Sequence, residues 1–277
     1  MGDQENPVAV ERLMRLGTEA RRRVIQMAAR SRSPHVGSCL SCVDILVTLY
    51  FDALRIDKCD WEERDLFVLS KAHAAMSLYA ILSLKGAMSD EDIRGYFVDG
   101  GTLPAHLDRT TSRWIESSAG SLGHGFSIAI GLALAQKLRR TARRVYVLIG
   151  DGEAQEGAIW EGAIFAPRLG LDNLTAVMDV NNLQGYGRPT ELCAFEPMAE
   201  KWRAFGWHAV RVNGHDYTAL RGALRQDPKG KPKMIIADTV KGKGVSFMEH
   251  ELKWHYYIVT EALARQALEE LEAKHAR

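Results

Sequence analysis

No stretch of the 277 residues approaches the roughly 20 consecutive apolar residues that span a bilayer. The polar N-terminus "MGDQENPVAVERL" has no apolar segment of the kind a secretory signal needs. Charge is not concentrated either. The 36 Lys and Arg and 35 Asp and Glu residues are scattered and leave a net charge of +1, so no basic face for nucleic acid stands out. A soluble, cytoplasmic protein with no membrane and no nucleic-acid partner is expected. Cysteine is scarce, at four residues. Cys39 and Cys42 form a C-x-x-C, while Cys59 and Cys193 stand apart, and without a second pair at ligand spacing a zinc site is not indicated. The pair lies in "SCLSCVDILVTLYF", where packing inside an apolar helix is the expected role. Internal repeats, low-complexity tracts and long linkers are also missing. So is a G-x-G-x-x-G after a first strand, which argues against a nicotinamide dehydrogenase.

What the chain does have is a series of short apolar runs rich in β-branched residues. They are "LFVLS" (66–70), "RVYVLIG" (144–150), "NLTAVMDV" (173–180), "WHAVRV" (207–212) and "KMIIADTV" (233–240). Longer segments of helical period, such as 127–140 and 158–170, alternate with them. Continuous hydrophobicity suits strands buried on both faces, which predicts an α/β fold with a parallel sheet sandwiched by helices. Residues 8–31 and 41–54 read as two helices, with Pro34 and Gly37 breaking the period between them. The tail "EALARQALEELEAKHAR" places Leu263, Ala267, Leu268 and Leu271 on one stripe. That stripe suits either packing on the domain's own surface or a subunit contact. Together these features predict one domain over 1–277, with a helical segment at 1–60 and a helix at 260–277.

Chemistry enters at the strand ends, where open parallel sheets bind their ligands. The run "VYVLI" ends in Gly150-Asp151-Gly152, and "NLTAVMDV" ends in Asn181-Asn182. One helix fits between the two runs, so their tips are expected side by side, bringing Asp151 and Asn181 to one spot. A carboxylate, a carboxamide oxygen and a nearby carbonyl are hard donors of the kind that Mg²⁺ or Ca²⁺ takes, with phosphate completing the shell. The glycines flanking Asp151 allow close approach. "AGSLGHGFSIAIG" (119–131) adds a glycine-rich loop that opens into a helix whose N–H groups suit an anion. Singly, each signal is ambiguous, since an aspartate after a strand is commonly a turn residue.

In combination, GDG followed by NN after 28 intervening residues resembles the thiamine diphosphate motif. The surrounding text is similar to the N-terminal, diphosphate-binding region of transketolase. The similarity also takes in "SPHVGSCLS", "LSKAHAAMSLYAIL", "PAHLD", "AGSLGHG", "KGKG" and "WH", and so runs over nearly the whole chain. The resemblance implies that Asp151, Asn181 and the backbone carbonyl of Leu183 hold Mg²⁺. It implies that Gly120, Leu122 and Gly152 line thiamine diphosphate and that His73 lies beside its diphosphate. Lys241 matches a lysine that approaches the cofactor in some members, the alternative being a solvated lysine in a Gly-rich turn. His35, His106 and His255 match histidines that bind sugar hydroxyls and shuttle protons, a task suited to a side chain titrating near neutrality. Glu156 matches a carboxylate that links paired active sites; as a bare sequence feature it is also an ordinary first-turn helix acid.

Some positions depart from the family pattern. Pro34 and Val36 replace the usual Gly and Pro around His35, "PGHP" becomes "PAHL", His124 stands for a common Gln, and Tyr256 for the Gly after "WH". These changes bear on the sugar rather than the cofactor. In the family, the glutamate that activates the cofactor and the aromatic clamp on its pyrimidine lie in a later domain, and this sequence ends at Arg277. A separate C-terminal subunit carrying the pyrimidine-binding domain is therefore expected, in an α2β2 heterotetramer that moves a two-carbon ketol unit from a ketose (phosphate) to an aldose (phosphate). Two alternatives remain: the α subunit of a thiamine-dependent 2-oxo acid dehydrogenase, which shares the metal motif but not the ordered histidines, and a non-catalytic module that keeps only the metal site.

Overall fold

The computed structural model describes residues 7–56 and 61–275. Five strands form one parallel sheet: β1 (Leu66–Leu69), β2 (Val145–Gly150), β3 (Leu174–Val180), β4 (His208–Asn213) and β5 (Lys233–Asp238), in the order β1-β2-β3-β5-β4. Every residue of β1, β2 and β3 is buried, as the unbroken apolar runs require, whereas β4 is a half-exposed edge. This explains why "WHAVRV" carries His208 and Arg211 among its apolar residues.

Side chains alternate between two cores. Phe67, Leu69, Tyr146, Leu148, Val177 and Ile235 face one layer, which includes helices Pro7–Ser31, Ala75–Leu84, Tyr217–Arg225 and Glu261–His275. Val68, Val147, Ile149, Ala176, Met178 and Ile236 face the other, with helices His124–Leu138, Gly157–Arg168 and Met198–Ala204. The stripe on the last helix is covered by the chain itself. Ala267 and Leu271 are buried in the first core, and Arg22 of the first helix pairs with Glu272. Packing on the domain's own surface thus accounts for that stripe.

One local expectation is corrected. The single helix at 41–54 is instead two short helices, Val36–Ser41 and Val43–Thr48, followed by a π-turn at Leu49–Ala53. Gly37 lies inside the first of these rather than breaking it. Its role is clearance, because a Cβ there would come within 3.0 Å of Lys241 Cγ and 3.2 Å of the Trp254 backbone oxygen. Cys39 and Cys42 are free and fully buried, as packing residues should be. Cys59 lies outside the described residues.

Gly125 is a second point of close approach, where the helix after the glycine-rich loop seats on the end of β1. A Cβ at Gly125 would stand 2.7 Å from Ser70 Cα, which is backbone and has little freedom to move. Overpacking of this kind costs about 1–3 kcal/mol. Gly125→Ala should therefore lower the unfolding free energy by that amount, read as a lower chemical-denaturation midpoint at unchanged slope, and an unchanged midpoint would refute the packing account.

Candidate active site

Register brings Gly150 of β2 opposite Asp179 of β3, so the two strand tips leave the sheet together. Asp151 Oδ2 accepts the Asn182 N–H at 2.8 Å and its Oδ1 accepts the Gly152 N–H at 2.7 Å. Asn182 takes a left-handed conformation (φ 60°), which turns the chain so that Leu183 N–H reaches Asn181 Oδ1 at 3.1 Å. A cleft of about 320 Å³ opens above this turn. Its lining includes Asp151, Gly152, Asn181 and Leu183 from the tips, Gly120 and Leu122 from the glycine-rich loop, and His35, His73, His106 and His255.

Those histidines form one group. The His35 ring centroid lies 5.3 Å from that of His73, 6.2 Å from His106 and 5.0 Å from His255. His35 precedes its helix in a left-handed conformation (φ 73°), and its backbone N–H bonds to the His255 carbonyl at 3.0 Å, tying two distant segments. His35 Nδ1 is buried without a hydrogen-bond partner, as is Gln184 Nε2 on the same lining.

Lys241 is fully buried, which removes the solvated-lysine alternative. Its ammonium donates to the Leu183 carbonyl at 2.7 Å and His255 Nδ1 at 2.9 Å, with Ser38 Oγ at 3.4 Å. Because an ammonium only donates, the His255 ring proton sits on Nε2. The Leu183 carbonyl, implied as a metal ligand, thus already carries one hydrogen bond; its second lone pair is uncommitted. Glu156 stands exposed outside the cleft lining, just before helix Gly157–Arg168, and makes no capping bond.

Three buried charges were not anticipated from the sequence. Lys71, just past β1, is paired with Asp179, which also accepts from Thr239 and from Ser41 Oγ at 2.6 Å. Glu153 accepts the Gly150 N–H at 3.1 Å, the Gly123 N–H at 2.9 Å and the Ser70 hydroxyl. The anion meeting the start of helix His124–Leu138 is therefore the chain's own Glu153 carboxylate. Both kinds of charge left a sequence signal: an aspartate inside the otherwise apolar "AVMDV", and a lysine and a glutamate in the short turns that follow apolar strands. Of the residues departing from the family pattern, Tyr256 lines the cleft, its ring 4.6 Å from His255.

Burial dominates the electrostatics. It pushes His35 down to about 4, helped by His106 and Lys241, and His255 down to about 3, helped by Lys241; His73 is pushed well below its ordinary value for the same reason. Burial and the neighbouring Asp179 raise Asp151 to about 6.

The histidine shifts have a defined sign. An unfolded histidine binds its proton near pH 6.5, while these rings bind theirs only well below. The stability they contribute is therefore complete above pH 6.5 and is lost as pH falls from about 6.5 towards 3–4. A His35→Gln/His255→Gln double variant should show a flatter fall in denaturation midpoint between pH 6.5 and 4 than the parent. Parallel curves over that window would count against the half-buried, neutral histidines.

The family described as "Transketolase, thiamine diphosphate binding domain" matches residues 15–271. The chain is 43% identical over 246 residues to the 6-deoxy-6-sulfo-D-fructose transketolase subunit SqwG of Clostridium sp., covering 87% of this chain and 90% of that one. It is 37% identical over 271 residues to an apulose-4-phosphate transketolase subunit of Phocaeicola vulgatus, covering 96% and 95%. Among solved structures, the transketolase from Leishmania mexicana superposes with a TM-score of 0.87 at 29% identity, over 96% of this chain but 41% of that longer one. Parallel sheet, cleft and relatives agree, and the chain belongs to the transketolase family, as a counterpart of its thiamine diphosphate-binding domain.

Proposed function

We propose that this chain is the N-terminal subunit of a heteromeric, cytoplasmic transketolase, transferring a two-carbon ketol unit from a ketose or ketose phosphate to an aldose or aldose phosphate. The carrying observation is the convergence of Asp151 and Asn181, at the tips of neighbouring strands, on the cleft that four histidines line. Relatives named as transketolase subunits, matched over 90% and 95% of their own length, support a separate partner bearing the pyrimidine-binding domain, in an α2β2 assembly. The family match favours ketol transfer over 2-oxo acid dehydrogenation.

The residues fit the cofactor. Asp151, the Asn181 carboxamide and the free lone pair of Leu183 O make a hard-oxygen set for Mg²⁺ or Ca²⁺, and a carboxylate whose burial disfavours its charge is one that a cation relieves. Gly120, Leu122 and Gly152 would line thiamine diphosphate, with His73 and Lys241 near its diphosphate. When bound, thiamine diphosphate supplies the electron sink through which the carbon–carbon bond is cleaved and remade. The protein's part is binding and proton handling. His255 offers an Nε2 proton to a sugar oxygen. Neutral His35, with His106 beside it, would hold hydroxyls and pass protons, and the unpartnered His35 Nδ1 is available for such a bond. Glu156, exposed outside the cleft, suits the subunit-bridging role implied by the resemblance.

Reconstitution with the partner subunit tests this reading. The chain alone should show no ketol transfer and the mixture should show it. Asp151→Asn should weaken thiamine diphosphate uptake by at least about tenfold in calorimetry with magnesium, about 1.4 kcal/mol. His255→Ala should lower kcat about 10²–10⁴-fold. Robust transfer without any partner, or 2-oxo acid decarboxylation in its place, would overturn the proposal.

A further inference from the structure

The loop after β5 carries Lys241 behind the wall of the cleft, against Leu183 and His255, and it is pinned residue by residue. Thr239 N–H bonds to Val180 O at 2.9 Å, Lys241 O accepts from His250 N–H at 3.0 Å, and Gly242 N–H bonds to Gly37 O at 3.0 Å. Arg21 Nε holds Lys243 O at 3.0 Å. Val240, directly before Lys241, is held differently, since its N–H donates to a side chain, His215 Nε2, at 2.8 Å.

His215 lies outside the cleft lining, between β4 and helix Tyr217–Arg225. Its other nitrogen, Nδ1, lies 2.7 Å from Asp44 Oδ2. Asp44 is buried, and Arg21 grips it through both terminal nitrogens at 2.9 and 2.7 Å while the Tyr217 hydroxyl donates at 2.5 Å. The guanidinium beside it holds the Asp44 carboxyl well below the usual range against the effect of burial, so Asp44 remains an acceptor. The bond from Asp44 places the ring proton on Nδ1, and the Val240 amide, which can only donate, requires a bare Nε2. Both demands select one tautomer. An aspartate that fixes a histidine from behind while its far nitrogen meets a functional element is how supporting shells orient reactive groups.

We propose that His215 is a positioning residue for the active site: with Asp44 and Arg21 behind it, it sets the Val240 amide and through it the placement of the Lys241 ammonium against Leu183 O and His255 Nδ1. The proposal rests on the reading of the cleft as a thiamine diphosphate and sugar site. Lys241 has little freedom of its own, because Gly37 gives it clearance only where a Cβ would sit 3.0 Å from Cγ. A small displacement of Val240 therefore moves the ammonium away from both acceptors. Misplacements of about 1 Å cost up to about 10²-fold in rate.

Two variants separate positioning from general stability. In His215→Asn the amide reaches only the Nδ1 position, so Asp44 keeps a partner and the Val240 N–H loses its acceptor. In His215→Gln the amide oxygen reaches the Nε2 position and restores that acceptor. In the reconstituted complex with magnesium, His215→Asn should weaken thiamine diphosphate binding by calorimetry and lower kcat/KM for the ketose, each about 10- to 100-fold. Hydrogen exchange of the peptide spanning 239–250 should speed up in the same variant, and His215→Gln should recover most of all three. Wild-type binding, kinetics and exchange in His215→Asn would overturn the proposal. So would equal losses in both variants that track a fall in Tm, which is the signature of a structural residue alone. If the unaltered complex shows no ketol transfer, the proposed function has failed, and the exchange experiment still decides whether His215 holds the loop.

Discussion

One buried ion pair, Lys71 with Asp179, holds the binding end of this sheet together. The two residues follow β1 and end β3, with β2 between them, so the lysine side chain crosses the tip of β2. Gly150 lies under that crossing, where a Cβ would touch Lys71 Cβ and Cδ at 3.8 Å. Burying two charges is costly and is repaid only when further hydrogen bonds complete both groups. Here they do. Ser41 from the helix after His35 and Thr239 from the loop after β5 both donate to Asp179, and Lys71 reaches the Ser38 carbonyl at 3.3 Å. Four separate segments thus meet on one carboxylate, and three of them continue directly into the cleft.

The floor of the cleft inherits its electrostatics from that pair. Lys71 and Lys241 are both buried, yet they differ in state. A carboxylate partner holds Lys71 above its usual value, whereas burial and the nearby Lys71 charge lower Lys241, whose hydrogen-bond partners are a carbonyl, a hydroxyl and an imidazole nitrogen, to about 8. Lysine beside neutral acceptors discourages protonation of the neighbouring rings, adding to the effect of burial on His35, His73 and His255. Neutral rings keep one nitrogen bare and one protonated, which is the condition for both accepting from and donating to sugar hydroxyls.

Much of this was legible in the sequence, for identifiable reasons. Buried parallel strands must be apolar throughout, so β1, β2, β3 and β5 announced themselves, and with them the paired tips bearing Asp151 and Asn181. The histidines could be gathered only through the ordered resemblance, since no local spacing connects His35 with His255. Invisible were contacts whose partners lie far apart in the chain. Asp179 reads as one polar interruption in a strand until Lys71, 108 positions away, is placed against it. Likewise Gly37 reads as a helix breaker until Lys241 arrives beside it. The glycine-rich loop reads as a site for a ligand's anion, whereas the carboxylate that its Gly123 N–H meets in the fold is the chain's own Glu153. Local pattern revealed which groups were unusual, and the topology decided what they met.

Two buried cations, Lys71 and Lys241, stand among three buried carboxylates, Asp151, Glu153 and Asp179. Asp179 takes Lys71 as its direct partner and is held down, while Asp151 and Glu153 receive only hydrogen-bond donors and are pushed up by burial, Asp151 also by Asp179. The fold therefore leaves negative charge at the tips that it does not neutralise itself. An excess of this sign would repel a bare diphosphate and attract a divalent cation, so a diphosphate would be held here more readily through a cation than by the two lysines directly. His35, His73 and His255, held neutral, leave hydrogen-bond geometry to set what this wall of the cleft accepts, and Tyr256 in place of glycine reshapes it beside His255.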